Sequence, residues 1–449
     1  MNANELKGWL SENGVSEVSC LAPDMNGAAR GKSMTPALFS STLDNQNLRI
    51  PEATYAINVH GDFTMNEFVD ETEKDAILIP DLSTLHIAPW AKDKTACVIC
   101  DGFSVDGAPS PIAPRQILKN IIERYNTLGL DPVVGPEVEF YLIKKYKDTI
   151  LEPEPPKGAS GLAEFGQHAF SLDAIDEFDG FFETLYEFAK VQDIPVDTIV
   201  HEEGTCQFEI NLKHGNALEV ADKLFLFKRL ARHAAKRHGI FVTFMAKPYA
   251  DDCGSSMHLH QSLVERETRR NVFANDDGSD SEFFSYYIGG IQNHMNEAMP
   301  LIAPYTNSFN RYQAYMSAPT NLHWSRENRS VGLRVPQTAA PARRVENRIP
   351  GSDVNPYLAI AASLVCGLIG IENRQERTAE FIGQSAEDKR QALPKTLREA
   401  LGQFRASEIL RDYLGEAFVK TFADVKQAEQ ENRSSVLSPW DVRYLMVNV

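Results

Sequence analysis

Apolar and polar positions alternate with a period of two in four short stretches of this chain. They are Glu137-Val138-Glu139-Phe140, Gln207-Phe208-Glu209-Ile210, Met257-His258-Leu259-His260 and Arg344-Val345-Glu346-Asn347-Arg348. Residues i and i+2 of a β-strand point to the same face. Each stretch would therefore bury one face and show acids, histidines or arginines on the other. The spacing predicts strands over 133–143, 198–212 (interrupted at Gly204) and 240–245. Elsewhere the period lengthens to that of an amphipathic helix. Residues 115–128 carry Ile117, Leu118, Ile121, Ile122 and Tyr125 on one side, with Gly129 as the stop. Further helices are predicted at 176–191, 216–238, 281–299 and 354–372, and in the tail from about 395. Asn216 and Glu219 have the spacing of a capping box. The apolar run 356–371 is short for a bilayer span and reads as a buried helix. Residues 151–169 read as a long surface loop and 265–280 as a charged hairpin or loop.

Residues 1–108 mix short strands with an opening helix, and three prolines in 106–114 mark a boundary. The pattern predicts an α+β protein with a smaller domain at 1–108 and a larger one at 109–449. In the larger, a curved antiparallel sheet or partial barrel, wrapped by helices, would turn its polar face toward a cavity.

Composition changes this picture little: 43% hydrophobic and 24% charged residues suit a soluble globular chain. A net charge of −17 argues against nucleic acid and anionic membranes as partners. No basic segment followed by an apolar one opens the chain, and six cysteines are scattered, so a reducing cytoplasm is expected. Cys97 and Cys100 have CxxC spacing but lie in an apolar strand-like run, where they face opposite ways, so zinc is not expected. The run from Gly27 to Ser33 imitates a phosphate-binding loop, but only three residues separate Gly27 from Gly31 where the motif needs four. It reads as a hairpin turn.

The chemistry concentrates in Glu137, Glu139, Glu202, Glu209, His258 and Glu346. Carboxylates packed into one cavity cannot all stay ionised without cations. An oxygen-rich set with an imidazole suits Mg²⁺ or Mn²⁺. Arg311, Arg326, Arg329, Arg334, Arg343, Arg344 and Arg348 follow closely in the chain. Guanidinium forks match phosphate and carboxylate groups. Metals and arginines around one cavity are the general recipe for phosphoryl transfer. A metallohydrolase would not need so many arginines.

These motifs, with Gly254-Ser-Ser-Met-His258-Leu-His260-Gln-Ser262 and Asn328-Arg329-Ser330, resemble the glutamine synthetase superfamily over essentially the whole chain. The resemblance implies a β-grasp-like N-terminal domain and active sites between subunits of a ring, often a dodecamer of two stacked hexamers. It implies two or more Mg²⁺ or Mn²⁺ ions per site and ATP as co-substrate. Glu139, Glu202 and Glu209 would hold one metal; Glu202 is preferred over Glu203 because a seven-residue interval to Glu209 recurs in the family. Glu137, His258 and Glu346 would hold the other. Arg311 and Arg348, with Gly254, would bind glutamate. His260, Ser262, Arg334 and Arg344 would contact ATP, and Arg329 the transferred phosphoryl group. ATP would phosphorylate the glutamate γ-carboxylate, and an amine would then form a γ-glutamyl amide.

Two departures bear on the amine. Ammonium-using members carry a flap glutamate where this chain has Ser317, and an Asp-Gly-Ser-Ser segment that is missing from 48–62. The run from Arg49 to Phe63 resembles the γ-glutamylputrescine and γ-glutamylpolyamine synthetase branch. Putrescine or another polyamine or alkylamine is the expected substrate, with ammonium as the alternative. A non-catalytic structural or sensory homologue would be expected to lose metal ligands, and all six are present. Pro341-Ala-Arg343-Arg344 lacks a lysine found in ammonium-using bacterial members, and the region after Glu372 lacks a regulatory tyrosine loop, so control by adenylylation is not expected.

Overall fold

The computed structural model describes residues 3–72, 74–145 and 153–446. The start of the predicted 151–169 loop lies outside these residues.

Residues of the N-terminal part form a six-stranded sheet. Its order is Ala29–Met34, Glu17–Pro23, Thr95–Ser104, Asp75–Pro80, Arg49–Pro51, with His86–Ile87 also on Thr95–Ser104. Glu17–Pro23 pairs parallel with Thr95–Ser104, and the other pairings are antiparallel. The segment before Ala29 turns back on itself as a hairpin, its backbone closed by Asp24 N–H to Ala28 O at 3.0 Å. All six cysteines are buried and unbridged.

The larger sheet has nine strands in the order Trp324–Arg326, Leu333–Val335, Val345–Asn347, Met257–Glu265, Leu130–Lys144, Gln207–Leu212, Val196–His201. Gly215–Asn216 and Ile240–Thr243 pair with the two ends of Leu130–Lys144. All its pairings are antiparallel except Trp324–Arg326 with Leu333–Val335. The predicted strand 198–212 is two strands of a hairpin. Gly204 N–H donates to the side-chain oxygen of Gln207 at 2.9 Å, Cys206 takes φ +55°, and the chain reverses.

One face of this sheet is apolar. Val138, Phe140, Phe208, Ile210, Met257, Leu259 and Val345 are fully buried. Slipping any strand by one residue would exchange these side chains for its acids and histidines, so the apolar face sets the register. Behind it lie the helices Pro114–Thr127, Ala217–Arg237, Glu282–Ile302 and Pro356–Glu372. The last is buried over its whole length up to Ile371. Asn355 caps it, accepting from Tyr357 and Leu358 N–H, with Pro356 in its first turn.

A buried ion cluster ties the N-terminal sheet to the helices behind the larger one through Pro114–Thr127. Arg115 donates to Asp222 (2.9 and 2.8 Å), Asp101 (2.6 Å) and Asp81 (2.7 Å), and Tyr357 Oη donates to Asp222 at 2.7 Å. Burial pushes the Asp222 carboxyl up, and Arg115 acts against that shift. Arg115→Met would leave Asp222 buried without its counter-ion. We expect a loss of about 3–5 kcal/mol in denaturant unfolding, with Asp222→Asn,Arg115→Met recovering part of it.

Candidate active site

The site is built on the polar face of the nine-stranded sheet, and the register assembles it. His258 lies opposite Glu137, Glu139 opposite Glu209, and Glu346 opposite both His260 and Arg334. Directly opposed residues on neighbouring strands share a face. His260 lies opposite Gly135, where a side chain would crowd His214.

Three groups of ligand atoms converge on this face. One is Glu139, Glu202 and Glu209; the second is Glu137, Glu209 and His258; the third is Glu137, His260 and Glu346. His258 Nδ1 lies 3.3 Å from Glu137 and 3.8 Å from Glu346. Glu202 reaches its place from the hairpin turn, and the strand alternation does not position it. Its N–H donates to Gln207 O at 2.8 Å. Gln207 in turn donates from Nε2 to Glu139 (3.2 Å) and Gly254 O (3.0 Å).

The two halves differ in charge state. Burial, then the charges of Glu137, Glu139, Glu202 and Glu346, push the Glu209 carboxyl up to about 10. Burial also raises Glu139 and Glu202, each with a neighbouring carboxylate adding to the shift. On the other side burial is outweighed. Arg348, then His258 and His260, hold Glu346 down at about 2. Hydrogen bonds from His258 and His260 hold Glu137 well below the usual carboxylate range. Burial, then Arg348, lowers His258.

The predicted arginines separate into groups. Arg348 donates to Glu346 at 2.5 Å, and Arg334 to Glu346 at 2.7 Å and to Glu327 at 2.8 Å. Arg344 Nε donates to His260 Nδ1 at 3.1 Å, which leaves the ring proton on Nε2 to bond Glu137 at 2.9 Å. Arg311 is only 2% exposed, and its Nη atoms donate to Ile349 O and Pro350 O. It packs against Gly254, where a Cβ would sit 2.3 Å from Arg311 Cγ. Arg329 is exposed and not drawn into the cluster, although its charge reaches Glu327. The Nε–H groups of Arg311, Arg334 and Arg348 are buried without a hydrogen-bond partner. Such donors are costly unless an acceptor meets them.

A cavity opens on the acid cluster and another on the turn that carries Glu202 and Glu203. One, of about 680 Å³, is lined by Glu137, Asn211, His260, Ser262, Asn271 and Arg344. It unites three of the residues predicted to contact ATP; Arg334 is not among its walls. The other, of about 650 Å³, is lined by His168, Glu203, Asp251, Cys253, Tyr315 and Met316 among others. Ser317 borders it, donating to Glu203. The hairpin turn gives Glu202 and its neighbour Glu203 different surroundings: Glu202 joins Glu139 and Glu209, and Glu203 lines this second cavity.

The family model for the glutamine synthetase catalytic domain matches residues 111–445. The γ-glutamylputrescine synthetase PuuA of Escherichia coli (strain K12) is 32% identical over 436 residues, covering 96% of this chain and 92% of that protein. The glutamate–isopropylamine ligase of a Pseudomonas species is 32% identical over 451 residues, covering 98% and 97%. A solved GmaS–ADP complex superposes with a TM-score of 0.85 at 25% identity, covering 99% of each chain. No helix among the described residues is long and apolar enough to cross a membrane. With its strand register, acid groups and flanking arginines in place, the chain belongs to the glutamine synthetase family of acid–amine ligases.

Proposed function

We propose that this protein is an ATP-dependent glutamate–amine ligase whose amine is an alkylamine, with putrescine or another polyamine foremost. The observation that carries the reading is a pair of unlike cavities, one lined by Glu137 and His260 of the acid cluster and the other by Glu203, the neighbour of Glu202. The first offers His260, Ser262 and Arg344 to a triphosphate. The second has Ser317 at its edge, where ammonium-using relatives would carry an acid, and is far larger than ammonium needs.

The donor set fits divalent cations. Glu139, Glu202 and Glu209 converge with His258 at their edge, and burial and neighbouring carboxylates raise all three carboxyls. They would hold one ion, and Glu137, His258 and Glu346 the other, with His260 beside Glu137. When bound, such ions neutralise charge on a transferring phosphoryl group. Arg348, with Arg311 behind Gly254, would face the glutamate carboxylates, and their unpartnered Nε–H groups support an anionic ligand there. Arg334 would add its charge beside the phosphates, and Arg329 would have to swing in toward the moving phosphoryl group. A γ-carboxylate oxygen of glutamate attacks the terminal phosphorus of ATP and the bond to ADP breaks. The alkylammonium gives up a proton to solvent, its freed nitrogen attacks the γ-carbonyl carbon, phosphate leaves with the bond to carbon broken, and the nitrogen loses a second proton to solvent. Exposed Val436, Leu437 and Met446 near the end of the chain support assembly with further copies, in keeping with the ring homo-oligomer of the family.

Two experiments test this. Glu209→Gln should abolish most of the rise in melting temperature caused by Mn²⁺ or Mg²⁺. It should also stabilise the metal-free protein at neutral pH by about 1 kcal/mol or more, because the glutamine is buried without taking up a proton, which the raised Glu209 carboxyl must do on folding. An unchanged metal response contradicts the assignment. In a phosphate-release assay with glutamate, ATP and an amine panel, the best alkylamine should exceed ammonium in kcat/KM by about tenfold or more. Ammonium outperforming every alkylamine overturns the substrate reading.

A further inference from the structure

We infer that Glu203 is the specificity-determining residue of the amine site, the counter-ion that holds the incoming alkylammonium and stands in for the acid missing at position 317. This rests on the ligase reading above. Glu202 and Glu203 are consecutive in a tight turn whose conformation is fixed on several sides. Glu202 N–H donates to Gln207 O at 2.8 Å, Thr205 N–H to Asp252 at 2.8 Å and Cys206 N–H to Glu164 at 2.7 Å. The turn sends Glu202 to the group with Glu139 and Glu209, and Glu203 to the wall of the neighbouring cavity. The amine cavity and the acid cluster thus meet at one peptide bond.

The partners of Glu203 are neutral. Ser317 Oγ donates to its carboxylate, and the thiol of Cys253 lies 3.4 Å from it. Burial pushes the Cys253 thiol up to about 12, so it stays protonated. Glu203 takes part in no ion pair among the described residues. Its position is that of a carboxylate satisfied by hydrogen bonds but not by charge, on the rim of a space of about 650 Å³. The rest of that space suits an organic cation better than a metal. Tyr315 and Met316 give it apolar surface, and Gln167, His168 and Ser171 complete its walls beside a second carboxylate, Asp251. An alkylammonium would place its charge against Glu203 and its chain along Tyr315 and Met316. Ser317 then has a definite use: it orients the carboxylate by a hydrogen bond, where an acid in its place would repel it.

The test separates a charge role from a structural one. Glu203→Gln keeps the shape and hydrogen-bonding capacity but removes the charge. With the best alkylamine of the panel, its KM for amine should rise about tenfold or more, with KM for ATP and glutamate unchanged. With hydroxylamine, a nucleophile that is uncharged at neutral pH, its rate should stay within about twofold of the parent. Glu203→Asp should keep the parent's preference for alkylamine over hydroxylamine. Glu203→Ser serves as a second neutral variant, and Mn²⁺-dependent thermal unfolding shows which variants are folded. An unchanged KM for alkylamine, or equal losses with alkylamine and hydroxylamine, overturns the inference while leaving the ligase reading intact. A parent enzyme that rejects every alkylamine defeats the alkylamine reading on which the inference rests.

Discussion

Electrostatic crowding on one face of a β-sheet is the constraint on which this structure turns. Glu137, Glu139, Glu202, Glu209 and Glu346 gather where water is largely excluded. Charges held so close in a poorly solvated place must be neutralised or matched. The protein does each on a different side. Arg334, Arg348 and the histidines match Glu346 and Glu137, which stay ionised. Around Glu139, Glu202 and Glu209 burial and like charge outweigh the nearby His258, Arg311 and Arg348, and all three carboxyls are raised. The cluster is therefore asymmetric: one half carries its own counter-charge, and the other needs one from outside.

The crowding is maintained by the opposite face. Phe140, Phe208, Leu259 and Val345 are packed against the helices, and each contributes about 1.5–3 kcal/mol by leaving water. That burial fixes the register that sets His258 against Glu137 and Glu139 against Glu209. Repulsion among the acids is thus offset by apolar packing one residue away along the same strands. Glu346 links the face to its arginines through a strand of three residues, Val345–Asn347, pinned between Leu333–Val335 and Met257–Glu265.

Much of this was legible in the sequence because a strand has a simple period. Glu137 with Glu139, His258 with His260, and Arg348 with Glu346 could be placed on common faces from alternation alone. Long helices such as Pro356–Glu372 were legible for the same kind of reason, through runs of apolar residues and an Asn-Pro start. The hairpin around Gly204 was not, because the turn lacks the usual turn residues apart from that glycine and relies on the Gln207 side chain to close it. Glu202 was therefore reached only through its family-like interval to Glu209. The parallel pairings of Glu17–Pro23 and Trp324–Arg326 have no local signature, since their partners lie elsewhere in the chain. The arginines were the least legible. Charge and position draw attention to Arg311, but its Nη atoms end on backbone carbonyls of the segment after Arg348, a contact set by tertiary packing.

Glu202 apart, the acid cluster belongs to the sheet, whereas the second cavity is walled mainly by loops: residues 167–171, Glu203 of the turn and the segment around Tyr315. Loops accept substitution and changes of length more readily than paired strands. A lineage can therefore remodel which nucleophile it admits without disturbing the machinery that activates the acid. Divergence in such a scaffold should accumulate around the entrance, while the strands behind it stay nearly frozen.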